Sequence, residues 1–125
     1  MSERKDFIPN MFHQKKYTEE GIFTIKVWVK GRQEDITIDD LFPVYAHSTA
    51  FAKPTPDGGW WVPLIEKAFA KVHVNYEMIS SGTHAEAARF LTGSPAQEFV
   101  TNVQSSEEIW SNVKLGMEKS YMITA

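Results

Sequence analysis

Between Ile22 and Tyr76 the apolar residues change period, and that change limits the possible folds more than any other feature of the chain. In IFTIKVWVK, residues 22–30, Phe23, Ile25, Val27 and Val29 alternate with Thr24, Lys26 and Lys30. This is the two-residue repeat of a strand with one face in a core. Trp28 falls on the polar side, which predicts partial cover there as well. KGRQ reads as a turn, and EDITID returns with Ile36 and Ile38 inward, so 22–30 and 34–38 pair as an antiparallel hairpin. Pro43, in DDLFPVY, sets an edge or a bend as the chain leaves it. Further on, Trp61, Leu64, Ile65, Ala68, Val72 and Tyr76 recur at the spacing of one helix face. Pro63 is tolerated only in a first turn, so the helix starts at Trp60 or Trp61. We expect it over 61–78, with Trp61 mostly buried and Glu66, Lys67 and Lys71 off the apolar stripe. The fold class is α+β: an antiparallel β-hairpin or small sheet packed on an amphipathic helix.

The remaining segments arrange themselves around this unit. Residues 1–20 form a lead-in whose Phe7, Ile8, Met11 and Phe12 dock on the core. Residues 46–59 carry Pro54, Pro56, Gly58 and Gly59 and read as a long loop, the kind that tends to be functional or mobile. Gly82 is a candidate chain-reversal point. Thr83 with Glu86 is a capping box that opens a helix through Leu91, and Gly93 and Pro95 end it. QEFVTNV is a short strand or an extended linker. Ser105 with Glu108 is a second capping box, starting a helix whose buried side is Ile109, Trp110, Val113 and Met117. YMITA reads as a strand, and an end in mid-strand suggests truncation.

Composition excludes several functions. A chain of 125 residues supports one domain with a modest core. A net charge of −3 gives no basic field for nucleic acid, and no apolar run is long enough to span a bilayer. The absence of cysteine removes disulfides, zinc–thiolate sites and a thiol nucleophile, and favours an intracellular, cytoplasmic location. His13, His47, His73 and His84 show no metal-ligand spacing. Asp39–Asp40 reads as turn chemistry before it reads as a cation site. Ser48, Ser80 and Ser81 have no local histidine and acid to activate them. Trp60–Trp61 reads as core before it reads as a ligand platform.

One stretch is more specific. In GGWWVPLIEKAFAKVHVNYEMISSG, the residues Trp60, Trp61, Leu64, Ile65, Glu66, Lys67, Ala68, Phe69, Ala70 and Lys71, then Tyr76–Glu77, then Ser80–Ser81–Gly82, resemble a segment of the calpain protease core. That segment reads F/W-W-x-x-L-L-E-K-A-Y-A-K, then Y-E, then S-G-G. The resemblance continues upstream through Gly21, Trp28, Gly31, Asp39, Asp40, Pro43 and AHS at 46–48. Downstream it runs through Glu86, Thr92 and Gly93 and on to IWSNVKLGMEKSYMITA, and so covers the chain from Gly21 onward.

The resemblance implies the C-terminal part of a first protease half-domain over 21–93 and the start of a second, truncated, over 94–125, joined near Thr92–Gly93–Ser94. It implies a thiol endopeptidase activity that is calcium-dependent in the family. The family's cysteine motif and its histidine and asparagine motifs do not occur here, so this chain is not expected to hydrolyse peptides by itself. The other reading is a non-catalytic calpain-like module that binds extended peptides or protein partners. The resemblance further implies that Gly82 is the substrate-binding residue, offering its backbone to an extended peptide, a role suited to a residue without Cβ. Gly59 stands where the family places a calcium-binding glutamate, so no cofactor is expected in this chain. Leu41 and Ser81 depart from the pattern too. The implied partners are a protein or peptide substrate or partner and the remainder of the protease core, with neither nucleic acid nor a membrane segment.

Overall fold

A computed structural model describes residues 5–121 and 123. Strands β1 (Ile22–Val29) and β2 (Arg32–Asp39) form an antiparallel pair with Phe23 opposite Ile38, Ile25 opposite Ile36 and Val29 opposite Arg32. The closing pair leaves Lys30 and Gly31 as a two-residue loop, both with positive φ (50° and 78°). This is the twist that a tight hairpin requires. Phe23, Ile25, Val27 and Ile38 are buried, as the alternation predicts. Past the hairpin, β3 (Val44–Tyr45) and β4 (Ser48–Thr49) make a second, smaller antiparallel ribbon, whose second strand lies in the 46–59 stretch expected to be loop.

The lead-in docks as expected. Helix α1 (Phe7–Met11) buries Met11, and Phe12 bridges to Ile25. His13 N–H donates to the Thr24 carbonyl at 3.0 Å. Beyond β1 and β2, helix α2 (Trp61–Val72) lays Leu64 and Ala68 on the hairpin, and α3 (His84–Thr92) adds Phe90. All join Met11, Phe23, Ile25, Val27 and Ile38 in one core. Pro63 is buried in the first turn of α2, where its missing N–H costs nothing. Both capping boxes are formed, Thr83 with Glu86 and Ser105 with Glu108, the latter opening α4 (Ser106–Glu118).

Several expectations fail. Helix α2 ends at Val72, not Met78. His73, Val74 and Asn75 are poor helix formers, and Val74 takes φ 83°, which ends the helix and turns Tyr76 out of its register. Trp61 is 41% exposed rather than buried. It occupies the first helical position, beyond the reach of the hairpin that covers Leu64 and Ala68. On α4, Trp110 and Met117 are 58% and 64% exposed; of the expected buried side Ile109 and Val113 are partly covered, and the buried residue of the helix is Gly116, against Ile123. Residues 97–103 form an extended linker closing in a 3-10 turn, Thr101–Val103. Of the expected strand YMITA, Met122, Thr124 and Ala125 lie outside the described residues, and Tyr121 and Ile123 are in no strand.

Candidate substrate-facing surface

Gly82 is reached from α2 by two turns. Asn75 Oδ1 accepts the Met78 N–H at 2.9 Å and opens a 3-10 turn, Glu77–Ile79. The Ser80 hydroxyl then donates to the Glu77 carbonyl at 2.8 Å. Gly82 follows, exposed, immediately before Thr83, the N-cap of α3. Its φ is not in the left-handed region, and a Cβ built there would come no closer than 3.6 Å to Glu86 Oε2 and 3.7 Å to the Ile79 carbonyl. The fold itself does not require glycine at this position. The chain-reversal reading of Gly82 is therefore corrected: α2 has already ended at Val72, and Val74 carries the positive φ.

The contrast is Gly93. It takes φ 69° as the C-cap of α3, and a Cβ there would run into the indole of Trp28. Trp28 is thus partly covered, as its place on the polar face of β1 predicts. The segment after Gly93 folds back on α3. Glu98 Oε1 accepts the Ala85 N–H at 3.0 Å, a bond that holds the Glu98 carboxyl below its ordinary pKa. Arg89 Nη2 donates to the Ala96 carbonyl at 2.8 Å.

Polar residues of α2 fix the neighbouring loops. Glu66 Oε2 accepts the Ala52 N–H at 2.9 Å, tying down the 46–59 segment. Lys67 Nζ binds Asp39 Oδ1 and the Leu41 carbonyl and lies 5.4 Å from the centroid of Phe42. The Lys67 ammonium, together with the Leu41 N–H, pulls the Asp39 carboxyl below its ordinary pKa. Lys71 Nζ reaches the Thr37 carbonyl at 2.6 Å. Reading these side chains as simply off the stripe missed their work. Tyr76 stacks on Phe51 with centroids 4.6 Å apart, joining the same loop to the approach to Gly82. Its hydroxyl is buried without a partner, and burial, then the negative charge of Glu66, pushes its pKa up to about 12.

The other candidates do not converge. Asp39 binds Lys67 and Leu41 N–H, while Asp40 accepts from the Tyr17 hydroxyl, so the acidic pair is divided between two partners. His13 Nε2 lies 3.0 Å from Asp35 Oδ1, His73 packs edge-on to Phe69 at 4.4 Å, His47 is in the exposed β3–β4 turn, and His84 starts α3. Ser48 belongs to β4, and Ser81 is exposed beside Gly82. At Gly59 the backbone N–H donates to Thr55 Oγ at 2.9 Å, and a Cβ would come within 2.6 Å of that oxygen. The same hydroxyl donates to Asp57, which lowers the Asp57 pKa. The turn is closed on itself by the Thr55 hydroxyl, which a side chain at position 59 would have to displace. Among the described residues no three acidic or histidine side chains converge on one point, and no helix is long and apolar enough to cross a membrane.

Comparison with known proteins adds a lineage to this geometry. The sequence profile of the calpain family cysteine proteases matches residues 1–125. Calpain-10 of Rattus norvegicus is 41% identical over 80 residues, 64% of this chain and 12% of that protein. Calpain-B of Drosophila melanogaster is 36% identical over 85 residues, 68% of this chain and 9% of that protein. Calpain clp-4 of Caenorhabditis elegans is 30% identical over 110 residues, 88% and 15% respectively. The chain thus spans between 9% and 15% of the length of these relatives.

Proposed function

Because this chain belongs to the calpain family of cysteine proteases, we propose that it is the substrate-facing part of a calpain-type core and is not catalytic by itself. It contains no cysteine and so carries no thiolate to attack a peptide carbonyl. The nucleophile, and the histidine and asparagine that serve it, come from the rest of the core. Residues 21–93 complete the first half-domain and 94–125 begin the second, with Gly93 at the joint. The assembled protein is cytoplasmic and cleaves protein substrates.

The role of this chain is to present Gly82. A glycine lets a second backbone approach within hydrogen-bonding distance, and specificity then falls to neighbouring side chains. The observation that carries this reading is the slack around Gly82: it is exposed, and neither its φ nor its neighbours demand the absence of a Cβ. A glycine that the fold does not need is accounted for by something that comes from outside. No calcium site is proposed for this chain alone: Gly59 brings no side chain, and its N–H donates to Thr55 Oγ.

The experiment is binding of a fluorescent casein-derived peptide to the chain, measured by anisotropy. Wild type should bind, and Gly82→Val should lose binding while its melting temperature stays within a degree or two of wild type. Equal binding by both proteins would refute the role of Gly82.

A further inference from the structure

The aromatic residues that open α2 point to a second contact. A groove of about 750 Å³ runs between α1, the segment after it and the start of α2. Its floor is Phe12, Phe23 and Leu64, and its wall is Trp60 and Trp61, 48% and 41% exposed. The wall is braced by a further lining residue: Trp60 stacks on Phe42 with centroids 5.5 Å apart, and Lys67 lies against the same ring. Two half-exposed indoles on a braced wall are a prepared apolar surface, of the kind that aromatic anchors form at interfaces.

The rim defines the charge of what sits there. Lys15 and Lys16 line the groove, and the Lys15 ammonium is fixed over it by a 2.5 Å bond to the Pro9 carbonyl. The one carboxylate lining it, Asp40, accepts from the Tyr17 hydroxyl, which leaves two ammonium groups against one carboxylate. Neither lysine has a salt-bridge partner among the described residues. The occupant therefore brings negative charge beside its apolar side chains.

The shape of the occupant follows from the strand edges. Strand β1 is paired along one edge with β2, and on the other edge Phe12 and His13 already use Ile25 and the Thr24 carbonyl. No free β1 edge faces the groove, so an added strand has no ladder to join. Recognition must run through side chains, as when an amphipathic helix lays its apolar stripe in a groove.

We propose that this groove seats an amphipathic helix with acidic residues flanking its apolar stripe, supplied by the remainder of the protease core. The proposal rests on the reading of this chain as one part of a longer core. It explains why α2 begins on two tryptophans that the hairpin does not cover.

The test uses the chain as it stands and a synthetic helical peptide of roughly 18 residues with leucines at i, i+3, i+4 and i+7 and glutamates beside them. A second peptide carries lysines in place of the glutamates. Binding is read from the blue shift of tryptophan emission. The glutamate helix should bind, and the lysine helix should bind at least about tenfold more weakly. Lys15→Glu with Lys16→Glu, both exposed and outside the core, should invert that preference. Four results would overturn the proposal: no binding, equal affinity for the two peptides, binding of dodecanoate but of neither helix, or self-association of the chain abolished by Trp60→Ser. Gly82→Val keeps the two readings separate. In that variant the casein peptide should be lost and helix docking unchanged; helix docking by a wild-type chain that does not bind the casein peptide counts against Gly82 alone, and the reverse pattern counts against the groove alone.

Discussion

Replacing Gly93 by alanine separates a glycine the fold requires from one it does not. Two costs add at this position. With φ at 69°, an L-residue pays about 1–2 kcal/mol for the left-handed conformation. The new methyl also meets the Trp28 indole inside contact distance, and the ring is wedged between β1 and the end of α3. Overpacking of this kind costs about 1–3 kcal/mol. The sum is a loss of about 2–5 kcal/mol, a large share of the roughly 5–15 kcal/mol a whole domain possesses. Gly82→Ala is the control: its φ is ordinary and its nearest neighbour 3.6 Å away, so stability should change by less than about 0.5 kcal/mol. Urea denaturation followed by far-ultraviolet circular dichroism measures both. If Gly93→Ala loses less than about 1 kcal/mol, or if the two variants melt alike, the Trp28–Gly93 contact and the slack at Gly82 are both misread.

Trp61→Ala, with 41% of the residue exposed, should cost about 2 kcal/mol, below the roughly 3–5 kcal/mol of a fully buried aromatic; an unfolded variant in circular dichroism would contradict this placement. The Lys67–Asp39 pair gives a pH dependence. Lys67 lowers the Asp39 pKa below its ordinary 3.8, so the unfolded chain binds that proton more readily, and the pair's contribution is present above pH 3.8 and lost as pH falls through the lower folded value. Asp39→Asn should flatten that part of the acid melting profile, and an unchanged profile would remove the pair from the account. Purified chain should neither cleave casein nor react with thiol-directed epoxides, with or without calcium, and millimolar calcium should leave the melting temperature where magnesium leaves it. A calcium-specific rise would reveal a site, since a ligand bound only by the folded state raises stability.

Much of the architecture was legible because it depends on local chemistry. The hairpin follows from the alternation Phe23, Ile25, Val27 and from the turn at KGRQ, although Arg32 and Gln33 already belong to β2 and only Lys30 and Gly31 form the loop, and the start of α2 follows from Pro63. Both later helices announce themselves by Ser/Thr-x-x-Glu. What was not legible depends on partners distant in sequence. A helical wheel names the face of α2 but not how far along it the hairpin reaches, so Trp61 was expected inside and lies at the rim. The end of α2 rests on Val74 adopting a left-handed φ, for which a β-branched residue gives no signal. Trp110 and Met117 form a real stripe on α4, but a stripe states only what a helix can bury. At the candidate site, sequence marked Gly82 through resemblance alone. Its freedom from steric need, and the turn that Thr55 closes on Gly59, required the geometry.

The most direct measurement of the central claim is a ¹⁵N–¹H correlation spectrum of the chain during titration with an extended casein-derived peptide. A backbone contact at Gly82 should move the amides of Ser81, Gly82 and Thr83 progressively, leave those of β1 and β2 in place, and vanish in Gly82→Val. Shifts confined to the groove beside Trp60 and Trp61, or none near Gly82 at saturating peptide, would contradict the assignment of this surface to the substrate.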